Sequence, residues 1–441
     1  MDTEAPALDG HLLSKSNIKG GISGQMPMYS AIFALAHTIV GSGTLTMPYV
    51  FARCGYLLAN VIALLFVALT TYSVHLLVVA SDRVGGDGAR SFESLGYRTC
   101  GVFGSIYAEI TFILGGLGTL TAYLVFIGKL ASQVLGIGIE NAYIPILGCV
   151  IFVISPLILL RSLNALRWVA FLALFAVLVV AVIFVIFGVK IGRFDQFPEE
   201  FDYEEMRVAF WDAQSINSLN LLIGAFCVQN TCLPIYGELK NRSPQKMASS
   251  VLVAMVLSFA VYETIGMYGY RLIGGNVKPD CLLSLNTVFQ EAYPWTAIQI
   301  KVAKLLMAFM ITLAVPFAIW PSRSALCSVI SRAAAGCTGP ARGSEEASDT
   351  MFRGVGFGLV FVITVFANLV PDITVPLGLV NSVAGGSMIF VMPGLFYLGS
   401  IDTAERFSMK HWTAYAYVVL GIAFASISFT LEIRSIISRF G

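Results

Sequence analysis

The chain has 441 residues, of which 57% are hydrophobic and only 12% charged, which leaves too little polar surface to cover a water-soluble globule of that length. A net charge of +1 without a clustered basic run excludes a nucleic-acid partner, because phosphate contacts need grouped Lys and Arg. No Gly-rich phosphate loop, metal-spaced His/Cys cluster or nucleophile motif stands on any loop, so the reading is not an enzyme, not an ATP-driven pump, and without a resident cofactor.

Residues 1–28 are polar and Gly/Ser-rich and lack the charged, apolar and cleavable regions of a signal peptide, so they read as a retained N-terminal tail. Eleven apolar stretches follow, at roughly 29–51, 56–80, 103–134, 143–160, 167–190, 215–238, 247–272, 296–321, 354–371, 375–398 and 411–433. Each is long enough to cross a ~30 Å hydrocarbon core. Inside lipid every backbone donor and acceptor must be paired within its own element, so these runs mean helices and the expected class is an all-α, multi-pass membrane protein with the lipid bilayer as its surroundings. The membrane domain covers 29–433, with 331–353, rich in Ala, Gly and Ser, as a loop. With the N-terminus in the cytosol, Lys and Arg concentrate on the cytosolic side and the acidic run from Asp195 to Glu205 falls outside as a solvated loop. Plasma membrane and vacuolar or lysosomal membrane both fit, and the sequence names no protein partner.

Two spans interrupt themselves. Gly41, Ser42 and Gly43 stand in the middle of the first with Pro48 following, and Val228, Gln229, Asn230 and Thr231 put consecutive polar groups into the sixth with Pro234 one turn later. Irregular backbone at that depth is tolerated only where it lines a cavity or is buried in protein. Taken as two repeats, 29–190 and 215–398, with 411–433 as an extra helix, the first helix of each repeat is the broken one, the pattern of an inverted-repeat transporter with a midplane site. Half-helix N-termini there would hold a carboxylate and released carbonyls a cation.

Glu109, Glu263 and Lys304 lie within spans, where a charge costs ~2.5 kcal/mol or more unless it is paired or wet. Glu109 and Glu263 read as proton sites or as paired structural carboxylates, and Lys304 as a side chain reaching toward the outer interface. His37, one turn before Gly41, can titrate near neutral pH and is the third proton-coupling candidate; a satisfied core histidine is the alternative. Cys149, Cys227, Cys232 and Cys327 read as small core residues, whereas Cys54 and Cys281 fall near outer loops and leave a bridge open.

The string AHTIVGSGTLTMPYVFARCG in the first span resembles the amino acid/auxin permease family, particularly its sodium-coupled neutral amino acid transporter branch, and LPIYGELK, MITLAVPFAIWPSRSAL and IFVMPGLFYL match it in order. The resemblance implies a five-plus-five inverted-repeat fold of the APC superfamily type plus one helix, working by alternating access on small neutral, glutamine-like amino acids with Na+ or H+ as coupling ion. It places Thr38, Gly41, Ser42 and Gly43 of the first span, Tyr123 of the third and Phe226, Val228, Gln229 and Asn230 of the sixth at the substrate. It implies a sodium site from first-span carbonyls around His37 and Val40 with the Thr312 hydroxyl. The chain departs from the branch at His37, where asparagine is usual, and at Gln229 and Asn230, where His-Pro is frequent, which brings in proton coupling and leaves substrate preference open. An amino acid sensor that keeps the transporter fold, a cationic amino acid transporter using Glu109 or Glu263, and a channel are the alternatives.

Overall fold

The computed structural model describes residues 24–41, 43–85, 91–159, 167–192, 206–211, 213–285, 287–335, 348–370 and 374–440. The helices are α1 (Met28–Ile39), α2 (Gly43–Cys54), α3 (Tyr56–Val84), α4 (Phe92–Leu135), α5 (Ile139–Ile158), α6 (Arg167–Lys190), α7 (Ala213–Ala225), α8 (Gln229–Glu238), α9 (Pro244–Ile273), α10 (Ala297–Ala335), α11 (Asp349–Leu369), α12 (Val375–Gly399) and α13 (Trp412–Phe440). Among the described residues ten helices are long and apolar enough to cross a membrane, and α1 with α2, bent at 56°, makes an eleventh if the pair is one span. Large apolar side chains such as Phe103, Phe152, Ile298 and Phe361 remain exposed on the outside of the bundle, as lipid contact requires. The acidic run lies outside the described residues, and so do the tail up to residue 23 and Ser42.

Several helices run past their apolar stretches. The third span begins at Phe92, eleven residues before its apolar run, because Ser91 caps it by accepting from the Ser94 N–H at 3.2 Å, and Gly101 (φ 65°) turns the chain between the two parts. The eighth span continues to Ala335 and the ninth starts at Asp349 behind a Ser348 cap, so helices reach into both ends of 331–353, and residues 336–347 lie outside the described residues.

The long helices α4 and α10 form the most extensive pair, and their approach depends on small residues. A Cβ on Gly116 would lie 1.7 Å from Ser322 Oγ, and that hydroxyl donates to Phe112 O at 2.8 Å across the pair. At the face where α1 begins, Glu109 of α4 accepts from Ser328 (2.8 Å) and Ser105 (3.3 Å) and pairs with Arg332 of α10. Arg323 of α10, fully buried, donates to Ile158 O at 2.7 Å and stacks over Phe352 at 3.7 Å. These charges therefore join helices to each other within the bundle. On the same face Met26 pairs with the chain after α8, its N–H donating to Glu238 O and its carbonyl accepting from Lys240 N–H, each at 2.9 Å.

At the opposite face the loop after α9 folds back, and its short helix Cys281–Ser284 packs on α2 and α10. Asp280 caps that helix by accepting from Leu282 N–H at 3.1 Å, and Lys304 reaches into the loop, donating to Leu285 O at 3.4 Å. Lys304 is only 5% exposed, so the expectation that it extends toward the outer interface is corrected: the loop covers it. Cys54 and Cys281 are both buried and not joined by a disulfide, and Cys54 directs its sulfur at Ser215 O, 3.9 Å away. Burial pushes the Asp280 carboxyl up to about 7, against the opposing pull of its backbone donors, Lys304 and Lys129. A carboxyl that holds its proton more tightly in the folded than in the unfolded chain stabilises the fold below its unfolded value, and that contribution is lost as pH rises through the folded value. Thermal unfolding of detergent-solubilised protein is thus expected to lose on the order of 3 kcal/mol of stability between about pH 4 and pH 7. The Asp280→Asn variant, which keeps the acceptor for Leu282, should flatten that slope.

Candidate functional site

Both self-interrupting spans break where the sequence departs from helix-forming residues. In the first, α1 ends at Ile39 and Val40 (φ −75°, ψ 73°) forms an inverse γ-turn, in which Gly41 N–H donates to Ile39 O at 2.8 Å. In the sixth, α7 ends at Ala225 and α8 starts at Gln229, with Val228 (φ −107°, ψ −3°) between them. Gln229 turns back to satisfy the backbone that this frees: its Oε1 accepts from Val228 N–H at 3.1 Å and its Nε2 donates to Ser73 of α3 at 3.1 Å.

The two breaks touch. A Cβ on Gly43 would lie 2.6 Å from Ala225 Cβ, so only glycine admits this approach. Tyr262 of α9, 2% exposed, places its hydroxyl against Ile39 O and 3.1 Å from Ala225 O, thereby reaching the last carbonyl of each first half-helix. Ile39 O has the Gly41 N–H as a second donor. Further toward the face where α1 begins, Thr231 Oγ1 donates to Thr38 Oγ1 at 3.3 Å and ties α8 to α1.

A cavity opens beside these breaks, ≈ 90 Å³ in volume, with walls from α1, α4, the α7–α8 junction, α10 and α12. It is far smaller than the roughly 300–1,000 Å³ of sites for drug-sized ligands, which suits a ligand of few atoms. His37, Thr38, Tyr123 and Asn230 line it. The His37 ring is 1% exposed, packs edge-on against Phe317 with centroids 4.9 Å apart, and has no hydrogen-bond partner at either nitrogen among the described residues. Gly41 lies against Tyr123, since a Cβ there would sit 3.0 Å from the Tyr123 hydroxyl.

The other singled-out residues sit elsewhere. Phe226 is fully buried and stacks edge-on against Tyr262, 5.3 Å between centroids. Val228 is buried in the junction and Gln229 faces α3. Thr312 donates to Ala308 O at 2.7 Å and lies 3.6 Å from the Cys149 sulfur, facing α5, whereas Ala314, Phe317, Ala318, Pro321 and Ser322 are the residues α10 presents to the cavity. Glu109 belongs to the Arg332 cluster, and Glu263 faces Asn60 of α3 with one carboxyl oxygen unpartnered. Sequence reasoning missed Tyr262, Thr119 and Asn381; the last two line the cavity, and a polar residue in an otherwise apolar run was the available signal for all three. Among the described residues no group of three or more His, Cys, Asp or Glu could hold a metal ion.

Residues 24–433 match the family model described as transmembrane amino acid transporter protein. The chain belongs to this family. Its members are transporters and not enzymes, and this one is a multi-pass integral membrane protein. It is 22% identical to sodium-coupled neutral amino acid symporter 2 of Danio rerio over 449 residues, covering 95% of this chain and 85% of that relative. Among solved structures, a Na+-coupled sialic acid symporter superposes with a TM-score of 0.53 at 14% identity, over 95% of this chain and 92% of that one. Mhp1, a nucleobase-cation-symport-1 family transporter, superposes with 0.55 at 12% identity over 94% and 92%. The fold is thus the five-plus-five inverted-repeat type with one further helix. Within this family member, Tyr262→Phe leaves Ala225 O as a buried acceptor without the donor it has here, at a cost of about 1–3 kcal/mol; a lower unfolding temperature in detergent, with Ile39 still satisfied by Gly41, is the expected result.

Proposed function

We propose that this protein is a secondary active transporter of small neutral amino acids, glutamine among them, which binds its substrate in the cavity beside the two broken spans and works by alternating access. The cavity itself carries the reading: in an amino acid transporter it is small, enclosed by five helical elements, and lined by polar groups of which the His37 nitrogens and the Asn230 amide oxygen have no partner among the described residues. The α-amino acid backbone would engage the breaks, its carboxylate at the N–H groups that begin α2 or α8 and its ammonium at carbonyls released at the ends of α1 and α7. Thr38, Gly41, Ser42, Gly43, Tyr123 and Asn230 supply contacts in this reading, with Phe226, Val228 and Gln229 shaping the sixth-span side. The N-terminus lies in the cytosol, so the face bearing the Glu109–Arg332 cluster is the inner one, as its richness in Lys and Arg supports. Membranes of the cell surface and of the vacuole or lysosome both accommodate this reading.

The coupling ion is Na+ or H+. Sodium is supported by the name of the Danio rerio relative, and its site would use carbonyls around His37 and Val40, with Thr312 joining only if its hydroxyl leaves the α5 side. A proton is supported by His37, whose two unpartnered nitrogens at the cavity wall can take up and release one. Glu109 is committed to Arg332, which makes it the weaker proton carrier; Glu263 keeps one free oxygen.

Uptake of labelled glutamine, alanine and arginine into proteoliposomes separates these terms. Sodium-driven uptake of the neutral substrates that Thr312→Ala abolishes supports the cation site. Uptake driven by a pH gradient without sodium, and abolished by His37→Asn, assigns coupling to His37. Gradient-driven uptake of none of the three contradicts transport and favours a sensor.

A further inference from the structure

Asn381 stands on the tenth span, α12, a wall of the cavity outside the spans that the sequence places at the substrate. It opens the π-helical turn Asn381–Gly385 of α12, and such a turn, with one residue more than an α-helical turn, reorients the side chains that it carries. Asn381 is 6% exposed and lines the cavity. Its direction is fixed by Gly224 of α7, one residue before the half-helix ends: a Cβ on Gly224 would lie 2.2 Å from the Asn381 amide nitrogen. The carboxamide therefore rests flat on a glycine where any side chain would displace it. The rest of the α12 wall is Val380, Ala384, Gly385 and Met388, and Ser322 on α10 has its hydroxyl occupied by Phe112 O. On the same cavity Asn230 has its amide oxygen buried and unpartnered. A buried amide oxygen left without a partner destabilises a fold, and this oxygen together with the Asn381 carboxamide on the same cavity offers acceptors and a donor to whatever enters it.

We propose that Asn381 is a specificity-determining residue: its carboxamide, together with that of Asn230, selects substrates whose uncharged side chains can donate and accept hydrogen bonds over alkyl side chains of similar size. This rests on the reading that the cavity holds the transported amino acid. The α-amino and carboxylate groups are common to all substrates and engage the breaks, so they set affinity without discrimination. The side chain then meets α12. A hydroxyl or carboxamide exchanges hydrogen bonds with Asn381 and Asn230, whereas an alkyl group covers both and gives neither a partner, which is the arrangement that discriminates most strongly against an analogue lacking the polar group. The selection comes from two sets of groups in one chamber, the backbone of the breaks for what all amino acids share and the carboxamides of α8 and α12 for the side chain.

The test compares uptake of serine, glutamine, alanine and valine by wild type, Asn381→Ala and Gly224→Ala in proteoliposomes under the same driving gradient. In Asn381→Ala the KM for serine and glutamine is expected to rise roughly five- to tenfold, the loss of about one hydrogen bond, with the KM for alanine moving less than about twofold. Gly224→Ala, which keeps the carboxamide but pushes it from its seat, should shift the same ratio in the same direction. Retained alanine uptake shows that the variants are folded. An equal rise for all four substrates assigns Asn381 to packing alone and overturns the proposal, as does an unchanged ratio. Wild-type liposomes that accumulate none of the four overturn the transport reading, and the proposal with it.

Discussion

In a bilayer core no water is present to satisfy a free backbone carbonyl, and the structure spends two of its membrane helices on creating such groups. The hydroxyl of Tyr262, reaching both Ile39 O and Ala225 O, is the contact on which the remaining arrangement depends. It brings the two half-helix ends together, it requires glycine at 43 so that the backbones can approach Ala225, and it leaves the cavity as the space beside them. Having one proton, it donates to one carbonyl at a time, so the junction is held without being locked. The γ-turn at Val40 and the backward turn of Gln229 satisfy further groups in the same place. Both breaks are thus closed by local hydrogen bonds, and Cys227 of the sixth-span break together with His37 and Thr38 just before the first lines the cavity, which is the condition under which irregular backbone survives in a membrane.

The helices far from the breaks show how rigid the surroundings are. The pair α4 and α10 packs through Gly116 and Ser322, and Glu109, Arg332, Ser105 and Ser328 fasten its end. Breaking a buried pair of this kind is far costlier than forming it is favourable. Against that pair, α1 and α8 are short segments joined to each other by the Thr38–Thr231 hydroxyl contact and by the Met26 bridge. Short segments tied to one another by a few hydrogen bonds, beside long helices tied by close packing, are suited to moving as a unit.

Much of this was legible in the residues. Apolar runs announce membrane helices because length and hydropathy are properties of a segment, independent of its neighbours, and Gly41–Gly43 and Val228–Thr231 announce breaks because such residues have no reason to stand in mid-helix. Rotation about the helix axis was not legible. Thr312 and Ala314 are two residues apart on α10, a helix buried on most sides, and no periodicity distinguishes the face toward α5 from the face toward the cavity; the structure turns Thr312 to Cys149 and Ala314 to the cavity. Gln229 escaped for the same reason, and Asn381 because a π-helical turn shifts the register that an α-helical count assumes. The Phe92–Cys100 extension of α4 was missed because it is amphipathic and lies before the apolar run. Lys304 was misjudged because the loop that covers it has no hydropathy signal.

The central claim is that an amino acid is held beside the two breaks and is reached from each side of the membrane in turn. Cys227 lies in the sixth-span break, lines the cavity, and directs its thiol at the Met388 sulfur 3.8 Å away. In a variant that keeps Cys227 alone of the eight cysteines, reaction with a membrane-impermeant thiol reagent, applied separately from either face with and without amino acid, reports directly on that cavity. The account predicts reaction from both faces, slowed by a transported amino acid and unaffected by one that is not transported. Reaction from one face only, or a rate indifferent to every amino acid, would contradict it.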